Sequence, residues 1–261
     1  MGSELASRIL YCDASCVVVN KIAGEAVEGA GKGMADLPKL LAAALSAPEY
    51  PPALAEDALP LPTAVHRLDV PVSGCAAFAR TGAALRFLNA AFSSESVKKH
   101  YWAIVEPSES AFFKDAAESA KNAELVHWIQ FDPRRNKSVA HEQPGSGRKK
   151  AVLRCRQAGR GDRYLFLEIE LVTGRHHQIR AQLERLGLHI KGDLKYGARR
   201  SEPAGGIRLH ARSLSFSNPG QSPTAGSDSP ITVQADPPLR DNLWQAFEKC
   251  TSGECTFAEN T

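Results

Sequence analysis

The order of segments reads as an α+β chain. Three observations carry that reading. Short apolar runs come in hairpin-like pairs, helical repeats of apolar residues alternate with them, and one strictly alternating strand runs straight into a helix. This order is compatible with a sheet that has helices packed on it, without fixing the topology.

Residues 9–11 and 17–20 predict two short strands with a polar turn between them. Residues 24–33 are Gly-rich and loop-like. A phosphate-binding P-loop ending at Gly31-Lys32 would need Gly at 26 and Ser or Thr at 33, where Ala26 and Gly33 stand. Residues 36–47 are rich in Leu and Ala and read as a helix, and the Pro-rich stretch 48–62 reads as a connection. Residues 75–79 predict a short buried strand. From 82 to 92, Leu85, Leu88 and Phe92 mark one helical face. Residues 99–106 alternate into a strand carrying Tyr101 and Trp102, and 107–127 contain an Ala/Glu/Lys-rich piece that reads as helix. Leu165, Leu167, Ile169 and Leu171 alternate with Glu168 and Glu170, a strand with one wet face. It leads through Thr173-Gly174 into a helix with the apolar line Ile179, Leu183 and Leu186, stopped by Gly187. Residues 209–216 predict a last strand, and 197–206 and 217–229 are loops. The reading is one domain over 1–249 and a loose tail over 250–261.

At 261 residues, 43% apolar and 23% charged, the chain can bury a sizeable core and is not a disordered one. No run of 18 apolar residues occurs, which excludes a membrane-spanning helix by sequence. Met1-Gly2-Ser3-Glu4 lacks the basic-then-apolar form of a secretory signal, so the expected place is the cytoplasm. Six cysteines are then reduced thiols; Cys12-x3-Cys16 and Cys250-x4-Cys255 lack the paired spacing of a zinc site, and no metal is expected. The net charge of +3 hides local bias: residues 133–163 hold ten Lys/Arg against two Asp/Glu. Such a run is either a solvated loop or a surface that tracks phosphates.

His66-Arg67-Leu68-Asp69, followed by Ser73-Gly74, is the most informative stretch. An Asp between Leu68 and Val70 caps a turn or, desolvated beside a cation, serves as nucleophile or base. Arg67 shares its face only if the segment is a strand. The second stretch, residues 173–180, joins Gly174, which permits close backbone approach, to the first turn of a helix, a place suited to an anion. There His177 and Arg180 share a face with Glu184 below, while His176 and His177 diverge and do not ligate one metal together. Tyr101 is a core aromatic or a phenol that stacks on a flat ring or moves a proton.

His66-Arg67-Leu68-Asp69-x-x-x-Ser73-Gly74, Lys99-x-Tyr101-x-Ala103-x-Val105 and Thr173-Gly174-Arg175-x-His177-Gln178-Ile179-Arg180 resemble three signatures of the RluA-type pseudouridine synthases. Gly187, Ile190, Gly192-Asp193, Tyr196-Gly197 and Leu209-His210-Ala211 follow in that family's order. Val18, Asn20, Lys21 and Gly24 resemble its opening strand and turn. The similarity spans roughly residues 9–219. Val72 stands where the family usually has Thr, Ile22 where Pro is common, and Asn218 where His is common. None of these removes a residue expected to react.

The resemblance implies the pseudouridine synthase fold: a mixed, mainly antiparallel sheet with flanking helices and a central active-site cleft holding Asp69. It implies an isomerase acting on rRNA or tRNA, with no cofactor, no metal, no membrane association and no separate S4 RNA-binding module, working as a monomer. Asp69 is the essential carboxylate, attacking either ribose or uracil. Arg180 is its cationic partner, and Tyr101 covers the uracil and acts as base. Arg67 fills the space left by the flipped base and Ile179 packs near it, with His66, Arg175, His177 and Gln178 counted among the substrate contacts. The basic run, with Arg134, Arg135, Lys137, Arg148, Lys149 and Lys150, becomes a flexible finger on the RNA backbone, and target selection rests on 133–163 and 198–206. A non-catalytic RNA binder on the same scaffold would tolerate loss of Asp69, Tyr101 or Arg180. All three are present, which favours the enzyme. A metal-dependent hydrolase lacks a ligand cluster.

Overall fold

The computed structural model describes residues 2–31, 36–53, 55–107, 123–220 and 230–252. They fall into two compact units, one from residues 1–99 and 211–238, the other from 100–210 and 239–261. The expected helix within 107–127 and the expected loop at 217–229 lie largely outside the described residues. Among those described, no helix is long and apolar enough to cross a membrane.

The first unit begins with a short helix, Gly2–Ala6 (α1), and the expected hairpin, Ile9–Cys12 (β1) against Cys16–Lys21 (β2), with Cys12 opposite Val17. Asp13 closes the turn because its Oδ1 accepts the N–H groups of Ser15 and Cys16, each at 2.7 Å. Helix Leu37–Ala44 (α2) carries Pro38 in its first turn and buries Leu37 and Leu41. The Pro-rich stretch corrects one expectation: Ala58–Ala64 (β3) is a strand despite Pro60 and Pro62. Its ladder to Ser73–Thr81 (β4) shifts register between Ala58 and Thr63, and Pro is tolerated at such an irregularity. β4 is buried at every position, and β2 lies beside it from Cys16 opposite Ala79 to Lys21 opposite Gly74. Helix Gly82–Ser93 (α3) starts where the Thr81 hydroxyl accepts the Ala84 N–H.

The chain passes to the second unit within Lys98–Pro107 (β5). There Ala123–Asp132 (β6), Lys137–His141 (β7), Lys149–Arg160 (β8) and Leu165–Leu171 (β9) form an antiparallel sheet in the order β5-β9-β8-β6-β7. The basic stretch 133–163 is therefore not one loop: Lys137 opens β7, and Lys149 and Lys150 open β8. Ala151, Leu153 and Cys155 alternate with Lys150, Arg154 and Arg156, so the cations are the wet positions of a two-faced strand. Helix Gln178–Arg185 (α4) follows, then Leu188–Ile190 (β10) on β5. Leu209–Phe216 (β11) returns the chain to the first unit and pairs with Ile231–Gln234 (β12).

The strand at 209–216 is thus not the last strand, and a helix follows β12. Asn242–Thr251 (α5) is a capped amphipathic helix overlapping the expected tail, with Asp241 accepting the Trp244 N–H. Trp244 and Phe247, three residues apart, pack on Trp102, Ile104 and Phe166. Tyr101 lies on the other face of β5. It sits opposite Ile169, Ile169 opposite Cys155, and Cys155 shares its side of β8 with Ala151, which packs against Ala181 of α4. Within this unit Tyr101 and the helix carrying Arg180 therefore occupy one side of the sheet, and α5 the other.

Gly74 tests the close packing of the first unit. Its φ is +116°, and an added Cβ would lie 2.3 Å from the carbonyl oxygen of Ala211. Backbone cannot yield to such an approach, so Gly74→Ala is expected to lower stability by at least about 3 kcal/mol. Urea unfolding reads this, and a midpoint unchanged from wild type would refute the packing.

Candidate active site

Asp69 is half-buried and begins a tight turn in which its carbonyl accepts the N–H of Val72 at 2.9 Å. The turn is held from beneath by Lys21, the last residue of β2, whose side chain is fully buried. Its Nζ donates to the carbonyls of Ile22, Asp69, Val70 and Val72 at 3.1, 3.3, 3.0 and 2.6 Å. Burial pushes this ammonium down to about 8, against the opposing pull of the Glu25 and Asp69 carboxylates. Glu25 is fixed in turn: Arg8 forms a bidentate pair with it at 2.8 and 2.9 Å, and its Oε2 accepts the Ile22 N–H. The sequence reading quoted Lys21 and gave no role to Arg8 or Glu25. A lysine closing an apolar strand that reads Val-Val-Val-Asn was the available signal.

His66 and Arg67 diverge. The Nε2 of His66 accepts the N–H of Ala77 at 3.0 Å and its ring stacks on Phe92 at 4.8 Å, so it braces the motif against β4 and α3. An imidazole that accepts there must stay neutral, and burial pushes it down to about 3, with the Lys99 charge adding to this. Arg67 extends into solvent with 77% of its side chain exposed, within 3.7 Å of Glu28. Such exposure leaves it able to move toward a ligand.

In the second unit the 173–180 stretch folds around Gln178. Its Oε1 accepts from the Thr173 hydroxyl and the Arg175 N–H at 2.8 and 2.9 Å, and its Nε2 donates to Val152 O. Buried and engaged at both polar atoms, Gln178 sets the turn. Arg175 is exposed and anchored by Nε on Lys150 O. His177 is not inside the helix: it is the cap residue, left-handed at φ +50°. This corrects the expectation that the two histidines diverge, for their rings stack at 3.8 Å.

Arg180 and Ile179 are buried at the start of α4. Arg180 directs Nε and Nη2 to the two oxygens of Asp193 at 2.7 and 2.8 Å, and its guanidinium lies 4.7 Å from the Tyr196 ring centre. Tyr196 Oη accepts the Ser138 N–H at 2.8 Å and lies 3.0 Å from His177 Nδ1. Sequence reasoning placed Asp193 and Tyr196 in order without a function; their part is to orient Arg180.

The basic residues divide. Arg134 and Arg135 project from the β6–β7 turn, where Asp132 Oδ1 accepts both their N–H groups. Lys149 and Lys150 are exposed at the start of β8, and Arg148 leans on the carbonyl of Gln143. Lys137 differs: its Nζ bonds Glu184 at 2.8 Å and lies over Tyr196, so it ties the hairpin to α4. A further open cleft of about 570 Å³ gathers Arg160 and Arg163 with Arg199 and Arg200, beside His189 and Glu106. It draws on both segments from which target selection was expected, 133–163 and 198–206.

Comparison with known proteins adds the decisive observation. The profile described as RNA pseudouridylate synthase matches residues 15–185, which include the Asp69, Tyr101 and Arg180 motifs. The chain belongs to that family. An "Uncharacterized RNA pseudouridine synthase" of Zymomonas mobilis is 31% identical over 90% of this chain and 95% of that protein. A "Ribosomal large subunit pseudouridine synthase D" of Xylella fastidiosa is 34% identical over 96% and 71%. In fold, the chain resembles the solved human RNA pseudouridylate synthase domain containing 4, with a TM-score of 0.65 at 19% identity over 96% of this chain and 95% of that one. The protein is an RNA pseudouridine synthase, an isomerase.

The buried Lys21 gives the site a measurable signature. Because the folded ammonium releases its proton near pH 8, against 10.5 ordinarily, the unfolded chain holds the extra proton between those values. Raising pH through that window therefore favours folding. The stability difference between wild type and Lys21→Met is expected to move in favour of wild type from pH 8 to 10.5. Equilibrium urea unfolding across that range checks it, and a flat difference would mean Lys21 titrates as in water.

Proposed function

We propose that the protein isomerises a uridine of structured RNA through Asp69, and the observation that carries this is the caged turn. A buried ammonium bonded to four carbonyls fixes the backbone of a residue whose carboxylate must meet a sugar or base carbon accurately. The carboxylate attacks ribose or uracil, the N–C glycosidic bond breaks, the uracil turns, and its C5 bonds to the same ribose carbon as the carboxylate is released; C5 then loses its proton and the freed ring nitrogen gains one. Every atom of the uridine is retained, so the overall change needs no oxidant and no group donor.

Tyr101 covers the uracil and serves as base for the ribose proton lost on a glycal route. Arg180, oriented by Asp193, supports the negative charge of the reacting carboxylate. Ile179 packs near the base, with Arg175 and His177 beside the substrate. A stacked uridine cannot reach such groups and must be flipped out, at a few kcal/mol; the solvent-directed Arg67 takes its place in the stack. Arg134, Arg135, Arg148, Lys149 and Lys150 follow the RNA backbone, and the four-arginine cleft gives a second phosphate surface. Ribosomal RNA is the favoured substrate over transfer RNA because several similar proteins are named for the ribosomal large subunit. The protein works as a monomer in the cytoplasm.

Asp69→Asn is expected to reduce pseudouridine in treated total RNA to background while changing RNA affinity by less than about twofold, since carboxylate and amide are isosteric and the main charge loss is local. Nucleoside analysis beside a filter-binding titration reads both; formation at the wild-type rate by the variant would remove Asp69 from the chemistry. Replacing Arg134, Arg135, Arg148, Lys149 and Lys150 by Gln is expected to flatten the salt dependence of RNA binding. The slope should fall by about 0.7 for each single-strand phosphate that is no longer neutralised. An unchanged slope would place the RNA elsewhere.

A further inference from the structure

Phe131 is the next-to-last residue of β6, with 44% of its surface exposed. A single exposed aromatic is ordinarily of no consequence, because much protein surface is apolar. Phe131 differs in what holds it. Its ring centre lies 4.2 Å from that of His176, tilted by 57°, and His176 stacks at 3.8 Å on His177. His176 is itself locked. The Ser138 hydroxyl donates to the His176 carbonyl at 2.7 Å and so accepts from His176 Nδ1–H at 3.1 Å. His177 continues the chain to Tyr196 Oη, whose ring lies beneath the Arg180 guanidinium. Four rings in successive contact, with His177 meeting Tyr196 edge-on at 5.7 Å, thus lead from the buried, Asp193-bound Arg180 to the exposed Phe131.

The open end stands beside positive charge. Asp132 folds the next residues into a turn by accepting two N–H groups, which fixes the backbone from which Arg134 and Arg135 project. A rigid apolar face beside solvated cations suits a ligand that alternates flat rings with phosphates. Neither a free phosphate nor an acidic peptide would use the ring.

We propose that Phe131, backed by His176, is a stacking platform for an unpaired nucleobase of the RNA substrate, a base other than the uridine that reacts. This rests on the RNA-modifying reading above and names one of its binding contacts. Bases stacked on aromatic side chains are bound with little sequence preference, so the platform supplies affinity and register and leaves identity to other contacts.

The test uses fluorescein-labelled single-stranded oligocytidylate, which contains no uridine and so cannot react, and heparin, a polyanion without bases. Anisotropy titration is expected to show Phe131→Ala weakening oligocytidylate binding about tenfold. Phe131→Trp should restore it, and heparin should bind wild type and both variants alike. Equal oligocytidylate binding by Phe131→Ala and wild type overturns the platform. So does absence of oligocytidylate binding by wild type, or equal loss of heparin and RNA in the alanine variant. Pseudouridine formation by wild type on total RNA is measured in parallel. No product there, with Phe131-dependent binding intact, counts against the catalytic reading alone; product without Phe131-dependent binding counts against the platform alone.

Discussion

A lysine ammonium with no water around it is costly unless its hydrogens are satisfied, and Lys21 meets that condition with four backbone carbonyls. The arrangement works in both directions. The carbonyls of Asp69, Val70 and Val72 converge because the ammonium draws them together, and the ammonium is tolerated because they converge. Glu25 adds the counter-charge and is itself gripped by Arg8. The position of the Asp69 backbone is thus set by a strand, a loop carboxylate and an N-terminal arginine, none of which lies in the motif that carries Asp69.

The same logic recurs around Arg180. A guanidinium is always charged, so burying it requires a matched acceptor, and Asp193 provides two oxygens in the plane of the fork. Tyr196 lies against the guanidinium and links through its hydroxyl to the Ser138 backbone and His177. Several residues first counted as substrate or RNA contacts share in this bracing. Gln178 Oε1 and Nε2, His66 Nε2 and Lys137 Nζ each bond a protein atom, which ties them to the Thr173–Arg175 turn, to β4 and to α4 respectively. The signature motifs therefore mix residues bonded within the protein with others, such as Arg67, whose side chains are turned toward solvent. Residue type alone does not separate them.

Much of the fold was legible because periodicity is local. The β9 strand and the face of α3 followed from alternation and from the three-to-four residue repeat. The departures have definite causes. In β8 the density of Lys and Arg hid an ordinary inward series of Ala151, Leu153 and Cys155. In β3 the prolines argued for a loop, and the strand exists at an irregular ladder where missing N–H groups are tolerated. In α5 the pair Trp244 and Phe247 and the cap at Asp241 were visible, but the polar residues between them masked the helix, and its last two residues fell in the expected tail.

The sequence by itself determined the family and the reaction class, because these rest on residue types at fixed short spacings within three segments. It could not supply the partners of the buried charges. Asp193 lies 13 residues from Arg180, and the Lys21 ammonium meets the carbonyls of residues 69–72 some 50 positions on. Such pairings are made by sheet register and loop closure, which bring distant positions to hydrogen-bond range while leaving no periodic trace. Only the tertiary structure decided which charges were paired within the protein and which were turned toward solvent.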